Sequence, residues 1–202
     1  VVAPKRAELI ASMEALIGAK EKPQALAEQI KKLQDEWKSV NKGAADHAEA
    51  EWQRFHDAAQ KAYEPCREYF AAQSKMRATN LEKRKVLLAR IVAFTESHNW
   101  EQPDWREVAR ALRESRQIWR AHQQVERAAN KPVQAQFDAA LAALQQRLDG
   151  EFAKNVTEKK RLIARVQHLL TLEDTRKAID EVKRLQADWK DLGMVSPEDS
   201  QA

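Results

Sequence analysis

The sequence predicts an all-α protein, built from tandem three-helix bundle units that are linked by long, partly continuous coiled-coil-like helices. Three observations favour this fold class. The 202-residue chain has only 4 Gly and 6 Pro, with 33% charged and 43% apolar residues, a composition typical of helices. It has no Asn-Gly or Asp-Gly turn between alternating apolar runs, the pattern that hairpins favour. One helical pattern that ends in a tryptophan occurs three times.

Each copy of this pattern places four residues at steps of four, three and four, which keeps them on one face of a helix. The three copies are Leu26, Ile30, Leu33 and Trp37; Val108, Leu112, Ser115 and Trp119; and Ala178, Val182, Leu185 and Trp189. Because a tryptophan buries a large apolar area, we expect each one to attach the end of its helix to neighbouring helices.

The first unit is predicted to contain three helices. A helix of about 4–17 ends at Gly18, and the tryptophan helix follows with Pro23 in its first turn. That helix stops at Asn41-Lys42-Gly43, and a third begins near Asp46, a suitable N-cap. The third helix carries a heptad seam of Trp52, Phe55, Ala59, Ala62, Cys66 and Tyr69.

The second unit repeats the plan of the first. Leu87, Ile91 and Phe94 match the spacing of Leu9, Met13 and Leu16. After Asn130-Lys131-Pro132 opens the next helix, the seam Phe137, Leu141, Leu144 and Leu148 matches Phe55, Ala59, Ala62 and Cys66. The separation along the chain from Trp37 to Phe55 equals that from Trp119 to Phe137, which indicates a true repeat. We call this shared spacing the Trp–Phe separation.

The repeat sets the unit boundaries. We predict unit 1 at 1–78, unit 2 at 79–156 and a partial unit at 157–202 that lacks a third helix. Residues 79–82 are either a capping box or polar residues inside one helix; we favour continuous helices of about 46–97 and 132–171. An incomplete last unit should leave apolar surface that needs a neighbour, either the rest of the chain or another copy.

These residues resemble a known family. The series Leu/Ile-x-x-Leu-x-x-x-Trp, followed by Lys-Gly or Leu-Gly and then by Trp52-x-x-Phe55, is similar to the bacterial domain of unknown function 349. That family is tandemly repeated, with one signature tryptophan per copy. The second unit departs from the pattern, with Gln134 in place of the second aromatic and no Gly after Trp119. The resemblance implies a helical-repeat protein of the bacterial cytoplasm and supplies no catalytic residues. A spectrin-like array is the structural alternative.

Positive charge is concentrated in the middle of the chain. Residues 75–131 contain 13 basic and 7 acidic residues, whereas residues 1–74 contain 11 and 12. On the predicted Trp119 helix, six arginines fall within an arc of about 120° at 100° per residue, opposite Val108 and Leu112. These arginines are Arg106, Arg110, Arg113, Arg116, Arg120 and Arg127. A second basic group on the preceding helix includes Lys83, Arg84 and Lys85.

Both basic groups are candidates for a partner or nucleic-acid surface, because arginine forks suit phosphate or carboxylate. Six arginines without an aligned carboxylate row would repel one another unless something acidic meets them. The alternative is an ordinary solvated face, paired with acids such as Glu96 or Glu107. Exposed stacking aromatics of the kind that single-strand binders use are not obvious. Backbone contact with structured RNA, or a protein partner, is therefore favoured over base reading.

No pattern in the sequence is typical of an enzyme or cofactor site. It contains no His-Glu-x-x-His, Cys-x-x-Cys or close His pair, and its four scattered glycines cannot form a phosphate-binding loop. Cys66 lies on an apolar seam, where cysteine behaves as a small hydrophobe. We therefore predict no enzyme activity, no cofactor, no metal and no small-molecule substrate.

A cytoplasmic location is predicted, because a lone cysteine fits a reducing compartment. No stretch approaches the roughly 20 apolar residues of a membrane span, and no signal peptide is visible, although the chain begins without Met and resembles an excised fragment. The leading functional hypothesis is a non-catalytic scaffold or adaptor with protein partners. This hypothesis is compatible with an oligomer. The alternative is an RNA- or ribosome-binding module that uses the basic middle unit.

Overall fold

The computed structural model describes residues 2–42 and 48–201. Within these ranges every regular element is a helix, which confirms the predicted all-α class. In chain order the helices are α1 Val2–Ala15, α2 Pro23–Asn41, α3 Glu49–Ser97, α4 Trp105–Ala121, α5 Arg127–Leu169 and α6 Thr175–Asp191. Asp46, the predicted N-cap of α3, and Gly43, the predicted end of α2, lie outside the described residues.

The chain divides into two compact units, Val1–Arg77 and Ala78–Ala202, and the division falls within α3. Unit 1 packs α1, α2 and the beginning of α3 around one core. Unit 2 packs the end of α3 with α4 and α5 around a second core. It also contains a small core between α5 and α6, formed by Leu162, Leu169 and Leu185. A separate unit at 157–202 stays a prediction.

The apolar seams form the cores because their side chains leave water together, each large one contributing about 1.5–3 kcal/mol. In unit 1, Met13 of α1, Leu26 of α2 and Phe55 of α3 are at most 1% exposed. In unit 2, Val108 of α4 and Leu144 of α5 are equally enclosed. The helices of each unit are thus held by residues at the predicted steps.

Side-chain caps set the beginnings of the later helices. Asp104 accepts hydrogen bonds from the backbone N–H groups of Arg106 and Glu107 at the start of α4, as an N-cap side chain does. Glu126 accepts from Ala128 and Ala129 at the start of α5. The predicted opening of this helix at residues 130–132 is therefore wrong, since the Glu126 carboxylate starts the helix earlier and Pro132 lies inside it.

The polar residues at 79–82 lie inside α3, so the continuous helix that we favoured is present and a helix start there is not. Along residues 2–42 and 48–201, none of the helices combines the length and the apolarity that a membrane crossing would require.

Cys66 is a core residue of unit 1. Its side chain is 0% exposed, and its thiol donates a hydrogen bond to the carbonyl oxygen of Pro23 at 3.2 Å. Burial raises the pKa of the Cys66 thiol, because it disfavours the charged thiolate. A thiolate is the reactive form of cysteine, so we expect this environment to slow the reaction of the side chain.

We expect iodoacetamide at pH 8 to alkylate Cys66 at least roughly 10²-fold more slowly in the native chain than in urea. Because the folded pKa is raised, the neutral thiol stabilises the fold below the unfolded pKa of about 8.5, and this contribution is lost as the pH rises further. Alkylation followed by mass spectrometry measures the rate, with Cys66→Ala as the unreactive control. Equal rates in native and unfolded chains would contradict the buried position.

Candidate functional site

Arg84 is buried in unit 2, with 5% of the residue exposed. Its Nη1 donates to Oδ1 of Asn130 at 2.9 Å, and its Nη2 donates to the backbone carbonyl of Trp119 at 3.2 Å. The guanidinium carbon lies 4.1 Å from the centroid of the Trp119 ring. Burial lowers the pKa of the Arg84 guanidinium, although an arginine stays charged even so. The cation therefore binds a carbonyl at the end of α4, which also accepts a hydrogen bond from the N–H of His122 at 3.2 Å.

The prediction that Arg84 belongs to a partner surface is wrong. Its side chain faces the core and is occupied by Trp119 and Asn130. Of its neighbours in the predicted basic group, Lys83 and Lys85 are exposed. Lys85 forms an ion pair with Glu82 at 2.8 Å. Among the described residues, Lys83 is therefore the exposed lysine of this group that has no ion pair within 4.0 Å.

A buried arginine occupies the corresponding place in unit 1. Arg6 is 2% exposed, and its Nε donates to Oδ1 of Asn41 at 2.7 Å. The amide nitrogen of Asn41 in turn donates to the backbone carbonyl of Trp37 at 2.7 Å. Nη1 of Arg6 also lies 3.3 Å from Oε2 of Glu51. Both units thus bring a buried guanidinium to the end of a tryptophan helix.

The α5–α6 pair has a lysine at this position. The Nζ atom of Lys159 lies 5.0 Å from the centroid of the Trp189 ring, a cation–π distance. The three basic residues were missed as a set in the sequence. The signal that could have found them is constant spacing, since Arg6, Arg84 and Lys159 each stand three residues before a buried core leucine, namely Leu9, Leu87 and Leu162.

The tryptophans of the first two copies stack on phenylalanines. Trp37 and Phe55 have ring centroids 4.3 Å apart, and Trp119 and Phe137 have centroids 3.9 Å apart. The interplanar angle is 13° in both pairs. The structure therefore brings together the residues that the Trp–Phe separation selects, and the two stacks are equivalent.

Two members of the aromatic signature lie at the surface. Trp52 is 42% exposed, and its ring centroid lies 6.3 Å from that of Trp37. Trp189 is 44% exposed, whereas Trp37 and Trp119 are 6% and 8% exposed. Within the described residues, Trp189 has no aromatic ring packed against it, and the third copy differs from the first two in that respect.

The predicted arginine stripe exists on α4, with one correction. The side chains of five arginines are exposed on the face opposite the buried residues Val108, Leu112 and Trp119. They are Arg106, Arg110, Arg113, Arg116 and Arg120. Arg127 is not a member, because α4 ends at Ala121 and Arg127 begins α5. We call these five residues the α4 arginine face.

The α4 arginine face has little internal pairing. Arg116 donates to Oε1 of Gln145 at 2.9 Å. Across the described ranges, the side chains of the other four arginines make no ion pair within 4.0 Å and no hydrogen bond. Glu107, one of the acids that could have paired with them, instead lies 3.7 Å from Nδ1 of His98. The face therefore stays cationic and solvated.

The equivalent faces of α2 and α6 have a mixed composition. With the tryptophans aligned, the five positions are Gln24, Glu28, Lys31, Gln34 and Lys38 in α2, and Arg176, Asp180, Lys183, Gln186 and Lys190 in α6. All ten are exposed. Because α2 and α6 are helical without arginine at every such position, the fold does not require the α4 arginine face.

Among residues 2–42 and 48–201, no three His, Cys, Asp or Glu side chains come close enough together to hold an ion.

The chain matches the model of one family, described as Domain of Unknown Function (DUF349), over residues 50–128 and 131–198. Each matched range contains most of a long helix and the tryptophan helix that follows it, α3 with α4 and α5 with α6. Searches of curated proteins and of solved structures found no match. Because the two matched ranges cover most of its length, the chain belongs to the DUF349 family and carries two tandem copies of the domain.

Proposed function

We propose that this chain is a non-catalytic helical-repeat scaffold or adaptor of the bacterial cytoplasm, and that the α4 arginine face is one of its binding surfaces. The observation that carries the proposal is the contrast among the three tryptophan helices. All three have exposed outward positions, and α4 alone fills the five aligned ones with arginine. Among candidate partners of the α4 arginine face, we favour an acidic protein segment.

The physical reason is like-charge repulsion. The arginines extend from Arg106 to Arg120, a length of about 21 Å at 1.5 Å per residue. Cations this close disfavour one another, and the carboxylates of Glu107 and Glu114, which line one cavity with Arg110, form no ion pair with the row within 4.0 Å among the described residues. A row of carboxylates or phosphates would remove that repulsion, and arginine forks can bind either group with two parallel hydrogen bonds. The surface is thus suited to an extended anion.

The buried polar groups support the absence of catalysis. The guanidinium groups of Arg6 and Arg84 are engaged with helix ends, and the thiol of Cys66 is enclosed with a raised pKa. Asn155, which is 5% exposed, donates to the carbonyl of Met194. Each of these side chains has a structural partner, although the Nε atom of Arg84 has no hydrogen-bond partner within the described residues, and we assign all four to the fold and not to catalysis.

RNA or ribosome binding is the second candidate. It is favoured by the residue type, because all five positions are arginine and not lysine. Lysine presents a point charge, whereas the planar guanidinium matches a phosphate with two donors. A helix that meets RNA in this way would contact the backbone and would therefore bind with little sequence preference.

We expect Arg110, Arg113 and Arg120 changed together to Glu to abolish binding to the acidic partner. The experiment titrates wild type and variant with a structured RNA hairpin, duplex DNA and polyglutamate, each at about 50 and 200 mM salt. If each of the five arginines meets a phosphate, wild-type affinity for the hairpin should fall roughly 10²–10³-fold between these salt concentrations through counterion release.

The matched control changes Lys31, Lys32 and Lys38 of α2 to Glu, which alters the net charge equally on exposed positions of another tryptophan helix. Loss confined to the α4 variant supports the proposed surface. Binding of polyglutamate then identifies the protein adaptor, and binding of the hairpin identifies the RNA module. Equal losses in both variants, or no binding of any polyanion at low salt, would contradict the role of the α4 arginine face.

A further inference from the structure

An apolar groove lies open between α5 and α6. Its lining includes Leu162, Ile163, Val166, Val182, Leu185 and Trp189. Ile163 is 46% exposed, Val166 40% and Trp189 44%. Large apolar side chains that line one groove are costly to leave in water. The groove is separate from the α4 arginine face, so a test of one does not depend on the other.

The chain itself shows twice how such a groove is covered. The helix that follows Trp37 brings Phe55 onto its ring, and the helix that follows Trp119 brings Phe137 onto its ring. Both phenylalanines are at most 3% exposed. Both follow their tryptophan at the same Trp–Phe separation. The corresponding cover for Trp189 would be an aromatic side chain at that separation.

The segment after α6 follows the path of the segment after α4. Nδ2 of Asn80 in α3 donates to the carbonyl of Gln124 at 2.9 Å. Nδ2 of Asn155 in α5 donates to the carbonyl of Met194 at 2.7 Å. Each asparagine stands four residues before the basic residue of its helix, and each acceptor stands five residues after a tryptophan. The chain is therefore held to the preceding long helix in the same way in both copies.

Ser196 then makes the contacts of a helix start. Its Oγ accepts a hydrogen bond from the N–H of Asp199 at 3.2 Å and donates to Oδ2 of the same residue at 2.7 Å. The N–H of Ser200 donates to the carbonyl of Ser196 at 3.0 Å, which is a helical bond. These are the contacts of a serine N-cap at the beginning of a single turn, in which Pro197 takes the first position. Ser196 follows Trp189 by seven residues, as the N-cap Glu126 follows Trp119.

We propose that the α5–α6 groove binds a helix that corresponds to α5 in the preceding copy. This helix starts at Ser196 and carries an aromatic side chain at the Trp–Phe separation from Trp189. A second copy of this chain is a poor occupant, because its Phe55 and Phe137 are already buried in their own units. Within the described residues, Lys159 has no carboxylate within 4.0 Å. An acidic residue one turn before the aromatic would pair with Lys159, as Glu51 pairs with Arg6.

The test supplies such a helix by grafting. A copy of the sequence Val133–Phe152 appended to Ala202 places the grafted copy of Phe137 at the Trp–Phe separation from Trp189. We expect amide hydrogen exchange in residues 159–191 to slow at least about tenfold, because a new aromatic stack and its apolar neighbours cover the groove. The control graft has Ala in place of that phenylalanine and should give much less protection. Circular dichroism verifies that both grafts are helical.

Two outcomes would overturn the proposal. The first is unchanged exchange in residues 159–191 although the graft is helical, or equal protection from the Ala graft. The second is a concentration-dependent dimer of the ungrafted chain, measured by sedimentation, that Ile163→Glu abolishes. That dimer would assign the groove to a second copy. A monomeric ungrafted chain, together with protection that depends on the grafted phenylalanine, supports the helix that begins at Ser196.

Discussion

Phe137→Ala is expected to destabilise unit 2 by about 3–5 kcal/mol, the usual cost of truncating a buried phenylalanine. Phe137 is 3% exposed and stacks on Trp119 at 3.9 Å. Alanine would leave a cavity beside the indole and would remove one of the core contacts between α4 and α5. Urea unfolding, with hydrogen exchange to locate the loss along the chain, measures the effect.

Unit 1 provides the matched control for this prediction. Phe55→Ala removes the equivalent stack on Trp37 at 4.3 Å, so its loss of protection should concentrate in residues 2–77 instead. Phe152, which is only half-buried, tests side-chain size within unit 2, and Phe152→Ala should cost less than Phe137→Ala. A loss below about 1 kcal/mol for Phe137→Ala would show that the stack does not stabilise the unit.

Arg84→Leu should cost about 2–4 kcal/mol, because it leaves the Trp119 carbonyl and the Asn130 side chain without their buried donor. It also removes the cation from the Trp119 ring. Arg84→Lys should recover part of this loss, since an ammonium restores the charge but not both hydrogen bonds. Chemical denaturation at neutral pH measures both variants.

The controls for Arg84 are its exposed neighbours. Lys83→Leu and Lys85→Leu should change stability by no more than about 0.5 kcal/mol, as surface substitutions usually do. A double-mutant cycle of Arg84→Leu with Asn130→Ala should show coupling between the two residues. A neutral or stabilising Arg84→Leu would mean that apolar packing replaces the guanidinium without loss, which is known for some buried ionic groups.

Much of the fold could be predicted because its signal is local. The steps of three and four place Leu26, Ile30 and Trp37 on one side of α2 whatever surrounds the helix, and these residues are buried. The same holds for the outward arginines of α4, whose exposure follows from the burial of Val108 and Leu112 opposite them. The prediction failed at the break between α4 and α5. Glu126 caps the start of α5, so Arg127 belongs to α5 and not to the arginine stripe of α4.

By itself the sequence determined the all-α class, the three tryptophan helices and the repeated Trp–Phe separation, because helical periodicity and chain spacing do not depend on the surroundings of a helix. The stacking of Trp119 on Phe137 came from the structure. Only the tertiary structure decided which cations are buried. Arg84 stands between Lys83 and Lys85, and nothing in that run distinguishes it. Its place depends on the carbonyl of Trp119 at the end of α4, which lies 35 residues further along the chain. A buried charge is retained only where such a partner is supplied by another helix, and that partner is a property of the packed units.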